Sequence, residues 1–367
     1  MTAITSESPK LRPATRSSAS LSSGRLPRWA PWTLLAASLL IVAAPFAITA
    51  MSRRSEFNVA GTLVVGALVY LVLIYVLSRI VEGSRKALDR LITGIVTCAF
   101  AIALVPLVSV AVTVIADGVH RFDPTFFNSS MKGTLGEGGG ALHAIMGTLL
   151  VTLAAAIISV PIGVMTAVYL VEYGRGNKLS RAITFLVDVM TGIPSIVAGL
   201  FAYALFALIF GPGVRMGIAG SVALSVLMIP VVVRSSEEML RLVPNDLREA
   251  SYALGVPRWL TITKVVLPTS IAGITTGVML AVSRVIGETA PLLITAGFTD
   301  QMNYNLFSGR MQTMPVFVYS QYAYQGIPPE AYIERAWAAA LTLIIIVMVL
   351  NLIARLVAKL FAPKTGR

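Results

Sequence analysis

Glu249-Ala250-Ser251-Tyr252-Ala253-Leu254-Gly255-Val256-Pro257, closed by Leu267-Pro268, forms a polar island between long apolar runs. Glu249, Ala250 and Ala253 favour helix, and two alanines leave one face smooth. Gly255 is able to take the left-handed conformation that ends a helix, and Pro257 suits the first turn of the next. Residues 261–266 continue that second short helix, and Leu267-Pro268 is expected to turn the chain toward the membrane. Arg234, Arg241, Arg248, Arg258 and Lys264 surround the island, which places it in the cytoplasm. A membrane protein that keeps a helix–Gly–helix element there offers a surface to a soluble partner. A plain amphipathic surface helix would need neither Gly255 nor Pro257.

Outward from the island, the chain is 56% hydrophobic and only 13% charged, against about 25% charged in soluble proteins. A bilayer core is spanned by about 20 apolar residues, and several runs are that long. The runs are continuous rather than alternating, which excludes a β-barrel. The chain is read as an all-α polytopic membrane protein. Its net charge of +12 reflects basic cytoplasmic loops rather than a nucleic-acid partner. The single cysteine, Cys98, cannot form an internal disulfide.

Eight spans are drawn, at about 32–51, 59–80, 91–117, 141–171, 182–210, 216–233, 269–297 and 336–358. Gly273, Gly277, Gly287 and Pro291 make the seventh a candidate for a kink or a re-entrant course. Residues 1–30, rich in Ser, Pro and Arg, are read as a disordered basic cytoplasmic tail. No small-residue cleavage site follows Ala50, so the first helix is expected to be retained rather than removed as a signal. With both termini inside, the basic loops at 78–90, 173–181 and 234–268 and the basic tail from Arg355 all fall in cytoplasm. Segments 118–140 and 298–335 fall outside, and only Arg53 and Arg54 violate the bias. Gly136-Glu137-Gly138-Gly139-Gly140 is read as a flexible part of the outer loop.

Charge inside a span is expensive and marks function or a locked helix pair. Gly273, Gly277 and Ala281 repeat every four residues, baring one helix face for close approach. Arg284 and Glu288 are expected to continue that face and, as i, i+4 neighbours, to neutralise each other. Two readings stand: a structural ion pair, or an anion site in which the guanidinium fork meets oxyanion oxygens while Glu288 weakens its grip. Arg234, at the cytoplasmic end of another span, is a second candidate beside the plainer reading of a snorkelling arginine.

No phosphate loop of the Gly-x-x-x-x-Gly-Lys-Ser/Thr kind occurs, so the chain is not expected to bind ATP. His120 and His143 lack a Cys, Asp or Glu cluster that would complete a metal site. No nucleophile–base pair stands out. An ion-driven secondary transporter would need deep carboxylates or an inverted repeat; the sequence offers Glu288 as its one deep carboxylate and shows no repeat.

The order Glu-Ala, Gly, Leu-Pro resembles the EAA loop of binding-protein-dependent ABC importer permeases. Ser251 stands where that loop usually has Ala, and Val265 where it has Ile. Residues 191–201 (TGIPSIVAGLF), 228–240 (MIPVVVRSSEEML) and 281–293 (AVSRVIGETAPLL) are similar to the phosphate-importer permeases of the PstA type. The resemblance covers about residues 91–117 and 141–362. It implies a six-span permease domain over 91–362, with outer loop 118–140 and cytoplasmic coupling loop 234–268, and it leaves 31–81 as an additional transmembrane hairpin, for about eight helices in all. It implies ATPase coupling through Glu249, Ala250, Gly255, Pro257, Leu267 and Pro268, and a substrate path along Arg234, Arg284 and Glu288. It implies a related permease (PstC type), an ATPase dimer (PstB type) that uses the ATP, an extracytoplasmic phosphate-binding protein (PstS type), and residence in a bacterial or archaeal cytoplasmic membrane. Phosphonate, sulfate or molybdate stay open as cargo, because arginine alone does not separate these oxyanions.

Overall fold

The computed structural model describes residues 26–361 apart from Arg28, residues 54–57 and Arg175. Residues 1–25 of the tail expected over 1–30, Arg54, and the last six residues lie outside that range, as does the side chain of Arg53. Among the described residues there are seven helices long and apolar enough to cross a membrane, or eight if one sharply bent pair counts as a crossing. This is an all-helical, multi-pass integral membrane protein.

The chain forms two compact units, divided near Val110. In the first, α1 (Ala30–Arg53) and α2 (Val59–Val81) pack as a hairpin, followed by the start of α3 (Ser84–Gly118). Asn58 starts α2 by accepting a hydrogen bond from the Gly61 N–H at 2.8 Å, which satisfies an otherwise orphaned donor. Glu82 fastens the turn into α3. It accepts from the Ser78 hydroxyl at 2.9 Å, from Arg90 Nη2 at 2.9 Å and from the Leu26 N–H at 2.9 Å. The Arg90 guanidinium, with help from the Ser78 and Leu26 donors, holds the Glu82 carboxyl down to about 2.

A carboxyl held below its ordinary value of 4.5 stabilises the fold above that value, loses the contribution as pH falls through it, and retains none below about 2. Hydrogen exchange over residues 78–90, corrected for intrinsic rates, is therefore expected to be slow at pH 6 and faster at pH 3. In Glu82→Gln that pH response should vanish. The same response in the variant would reject the fastening.

The second unit continues through α4 (Pro124–Asn128) and α5 (Leu142–Val168), which runs on as a wide π turn, Tyr169–Tyr173. Next come α6 (Lys178–Thr191), α7 (Ser195–Phe210) and α8 (Gly217–Arg241). The chain goes on through α9 (Asn245–Ala253), α10 (Arg258–Thr261), a second π turn (Ile262–Val266) and α11 (Leu267–Val285). It closes with α12 (Ala290–Thr295), α13 (Met314–Ala323) and α14 (Pro329–Phe361).

The core lies where α5, α8 and α11 meet, around Val151, Ala155, Leu224, Met228, Ala281 and Val285. Membrane helices gain little from burying apolar surface against each other and rely on close packing and hydrogen bonds. Both occur here. Ser221 donates to the Val151 carbonyl at 3.0 Å and ties α8 to α5. The bare face of α11 lies on α8: a Cβ at Gly277 would sit 2.5 Å from Ser235 Cβ, and one at Gly273 would sit 2.7 Å from Met239 Cγ. These two pairings make α8 and α11 antiparallel neighbours.

Three expectations change. The span drawn at 182–210 is two helices, α6 and α7, bent by 109°. Gly192 caps α6, and Pro194, which cannot donate and restricts the residue before it, starts α7. The span drawn at 269–297 lies at Arg258–Val285 instead. The helix ends at Val285, ahead of Gly287, and α12 starts afresh with Pro291 in its first turn, where its missing N–H costs nothing. Nor is the Gly-rich stretch a loose loop. Arg335, fully buried, donates to the carbonyls of Gly136 at 2.7 Å and Gly138 at 3.0 Å, and Arg121 donates to Gly139 O at 3.1 Å. Glycines leave their carbonyls open to such capture, a partnership invisible from local composition.

Candidate functional sites: the docking element and the charged path

The helix pair expected around 249–268 is present. Helix α9 packs Arg248 and Ser251 inward and leaves Glu249, Ala250 and Ala253 exposed, so its smooth face points away from the protein. Gly255 has φ +75°, the left-handed conformation expected of it. Pro257 stands directly before α10 and caps it. The Ser251 and Thr261 hydroxyls join α9 to α10 at 2.8 Å.

Leu267-Pro268 departs from expectation. It does not turn the chain; α10, the π turn and α11 run on as one helical rod. Pro268 has no N–H and would press on the Lys264 carbonyl in a regular α-helix. The wider π turn relieves this: the Leu267 N–H reaches back to Ile262 O, five residues away. One half of the docking pair is thus the end of a membrane helix.

What fixes the element was not legible in the sequence. Arg248, one of the flanking basic residues, is buried with 7% of its side chain exposed, and it meets Glu172, at 2%. Nε and Nη2 of Arg248 donate to Glu172 Oε1 at 3.0 and 2.8 Å, Nη2 also to Leu240 O at 2.9 Å, and Nη1 to Val243 O at 2.6 Å. The next residue, Tyr173, lies under the Arg258 guanidinium, 5.3 Å from ring centroid to Cζ. The base of the docking pair is therefore bolted to the end of α5. Around it, Leu254 is 83% and Trp259 61% exposed, with Leu242 and Leu247 nearby, an apolar rim of the kind that marks a protein contact.

Removing one partner of a buried ion pair strands the other charge at about 3–5 kcal/mol. Arg248→Met is expected to lower the melting temperature markedly, and adding Glu172→Gln should restore much of the loss. No rescue by the second change would refute the account.

The charged residues separate into two depths. Arg234, on α8, is held from both sides, by Asp188 of α6 and by Glu237 Oε2 at 3.1 Å; Arg241 Nη2 holds the other Glu237 oxygen at 2.6 Å. Through the α8–α11 pairing, Arg234 is level with Val278, and Arg284 stands six residues further along α11, about 9 Å away along the axis. Arg284 is exposed, and Val285 rather than Arg284 takes the next place on the packed face. Glu288 lies in the break after α11, so the i, i+4 geometry is lost. Among the described residues neither Arg284 nor Glu288 makes an ion pair. Glu172 and Glu237, near the ends of their spans, are more buried within the protein than Glu288, and both are neutralised by arginine. Their place next to apolar residues carried no signal of a partner 76 positions away for Glu172.

The described fold is a multi-pass helical bundle with an exposed helix pair anchored on its own membrane helices. A family model described as "Binding-protein-dependent transport system inner membrane component" matches residues 159–367, more than half of the chain, and the chain belongs to that family. Over 276 residues it is 45% identical to the "Phosphate transport system permease protein PstA 1" of Mycobacterium tuberculosis (strain CDC 1551 / Oshkosh), covering 74% of this chain and 89% of that protein. The corresponding protein of Mycobacterium leprae (strain TN) is 46% identical over 282 residues, covering 76% and 90%. That of Pasteurella multocida (strain Pm70) is 38% identical over 272 residues, covering 74% and 95%.

Proposed function

We propose that this chain is a permease subunit of an ATP-driven importer of inorganic phosphate. The observation that carries the proposal is the 45% identity, over 89% of its length, with a protein named for phosphate transport. The chain is a transport component, not an enzyme, and binds no cofactor of its own. It sits in a cytoplasmic membrane and forms half of the translocation path with a related permease. A separate ATPase dimer supplies the energy, and an extracytoplasmic binding protein delivers the anion.

In this reading the ATPase grips the smooth face of α9, at Glu249, Ala250 and Ala253, inside the apolar rim of Leu254 and Trp259. ATP-driven closure shifts α9 and α10 together, because the Ser251–Thr261 bond and the Gly255 turn make them one piece. α10 continues into α11, α11 is packed on α8, and Arg248 fastens the base to α5. A displacement in the cytoplasm therefore moves the helices that carry the arginines. Phosphate meets Arg284 first, passes down to Arg234, and leaves inward. Among the described residues Arg284 has no carboxylate partner, which leaves its guanidinium fork open to an oxyanion.

ATP-dependent uptake of radiolabelled phosphate by the reconstituted complex tests this. Uptake should require all subunits and resist excess sulfate. Sulfate competing equally would reassign the cargo to a broader oxyanion class, and transport by this subunit alone, without nucleotide, would overturn the reading.

A further inference from the structure

Arg234 has two partners, and they are not equivalent. Glu237 is on the same helix, one turn away, with 8% of its side chain exposed, and its second oxygen is occupied by Arg241. It cannot leave. Asp188 comes from α6, 46 residues earlier, is 59% exposed, and has no other hydrogen-bond or ion-pair partner among the described residues. An exposed ion pair of this kind is weak, and its carboxylate can swing into water with little loss. The guanidinium thus presents one edge that is permanently filled and one that is filled by a replaceable anion.

We propose that Asp188 is a built-in stand-in for the transported oxyanion. It occupies the Nη2 edge of Arg234 while the path is empty and yields that edge when the anion arrives. The inference rests on placing Arg234 in the substrate path. A carboxylate and a phosphate accept the same charge-assisted bonds from arginine, so one replaces the other without rearranging Arg234, which Glu237 keeps aimed. Once displaced, Asp188 stays beside the bound anion as a like charge and speeds its release. The same exchange reports occupancy to α6: with the edge filled by Asp188, α6 is latched to α8, and with the anion there, α6 is free.

Equilibrium binding of radiolabelled inorganic phosphate to the nucleotide-free assembled complex, without the binding protein, tests this. Asp188→Asn keeps the shape and removes the competing charge. It is expected to bind phosphate about tenfold more tightly than the wild type. In vesicles, phosphate on the cytoplasmic side should inhibit uptake by this variant at about tenfold lower concentration. Asp188→Glu should restore wild-type values, and the gain should disappear in Asp188→Asn combined with Arg234→Gln. Unchanged or weaker binding in Asp188→Asn, with or without loss of thermal stability, overturns the proposal, as does a gain that survives Arg234→Gln. Sulfate is measured in parallel. Absence of phosphate uptake by the wild type counts against the phosphate assignment, whereas the ratio of variant to wild-type affinity, for whichever of the two anions binds, decides the role of Asp188; no binding of either to the variant also overturns it.

Discussion

Arg284→Gln is expected to abolish phosphate uptake while the complex assembles at normal yield. The two halves of this result have separate causes. Arg284 is exposed and makes no ion pair among the described residues, so removing its charge strands no buried partner and opens no cavity. The fold should be indifferent, in contrast to Arg248. Uptake should not be. Two charge-assisted bonds to an oxyanion, at about 1.5–3 kcal/mol each, amount to at least about a hundredfold. Gln keeps a donor but neither the charge nor the fork. Lys keeps the charge as a single point and should recover only part of the rate. Uptake, subunit co-purification and melting temperature, measured on the same preparations, distinguish the cases. Near-normal uptake in Arg284→Gln removes this residue from the path.

Gly255→Val is expected to leave ATP hydrolysis running while phosphate uptake collapses. The residue has φ +75°, and a Cβ there would meet nothing within 4 Å. The objection to valine is therefore backbone strain alone, of about 1–2 kcal/mol in the left-handed region and worst for β-branched side chains. Such strain does not unfold a membrane protein. It is enough to reset the angle between α9 and α10, and that angle is what converts a push on α9 into motion of α11. Because the cause is conformational and not steric, Gly255→Asn should couple nearly as well as the wild type, Asn being tolerated in the left-handed region. Ala should fall between. Equal coupling in the Val and Asn variants would show that the turn is not the hinge of transmission.

Local chemistry was the legible part of this molecule. The Gly255 turn and the bare face at Gly273 and Gly277 each follow from one residue's own geometry and are present, and Pro257, expected in the first turn of α10, stands one position before it. The class of fold followed from run length. Partnerships between distant residues were not legible. Glu172 with Arg248, Asp188 with Arg234, and Arg335 with the Gly136 and Gly138 carbonyls are separated by 46 to 199 positions, and nothing in either local sequence points to the other. Arg284 with Glu288 failed for the opposite reason. The spacing suits a helix, but α11 ends at Val285, before Glu288 is reached. At Leu267-Pro268 a proline suggests a corner, whereas the chain absorbs it by widening one turn.

That widened turn also governs direction. A π turn holds one residue more than the α turn it replaces, so residues 262–266 record a surplus residue lodged in the rod. In a regular helix one added residue would swing everything upstream by about 100°, since 3.6 residues complete a circle; lodged in the wide turn, it leaves the bearing of Trp259 as it would be without it. The widening that spares Pro268 its clash therefore also preserves the compass bearing of the contact surface.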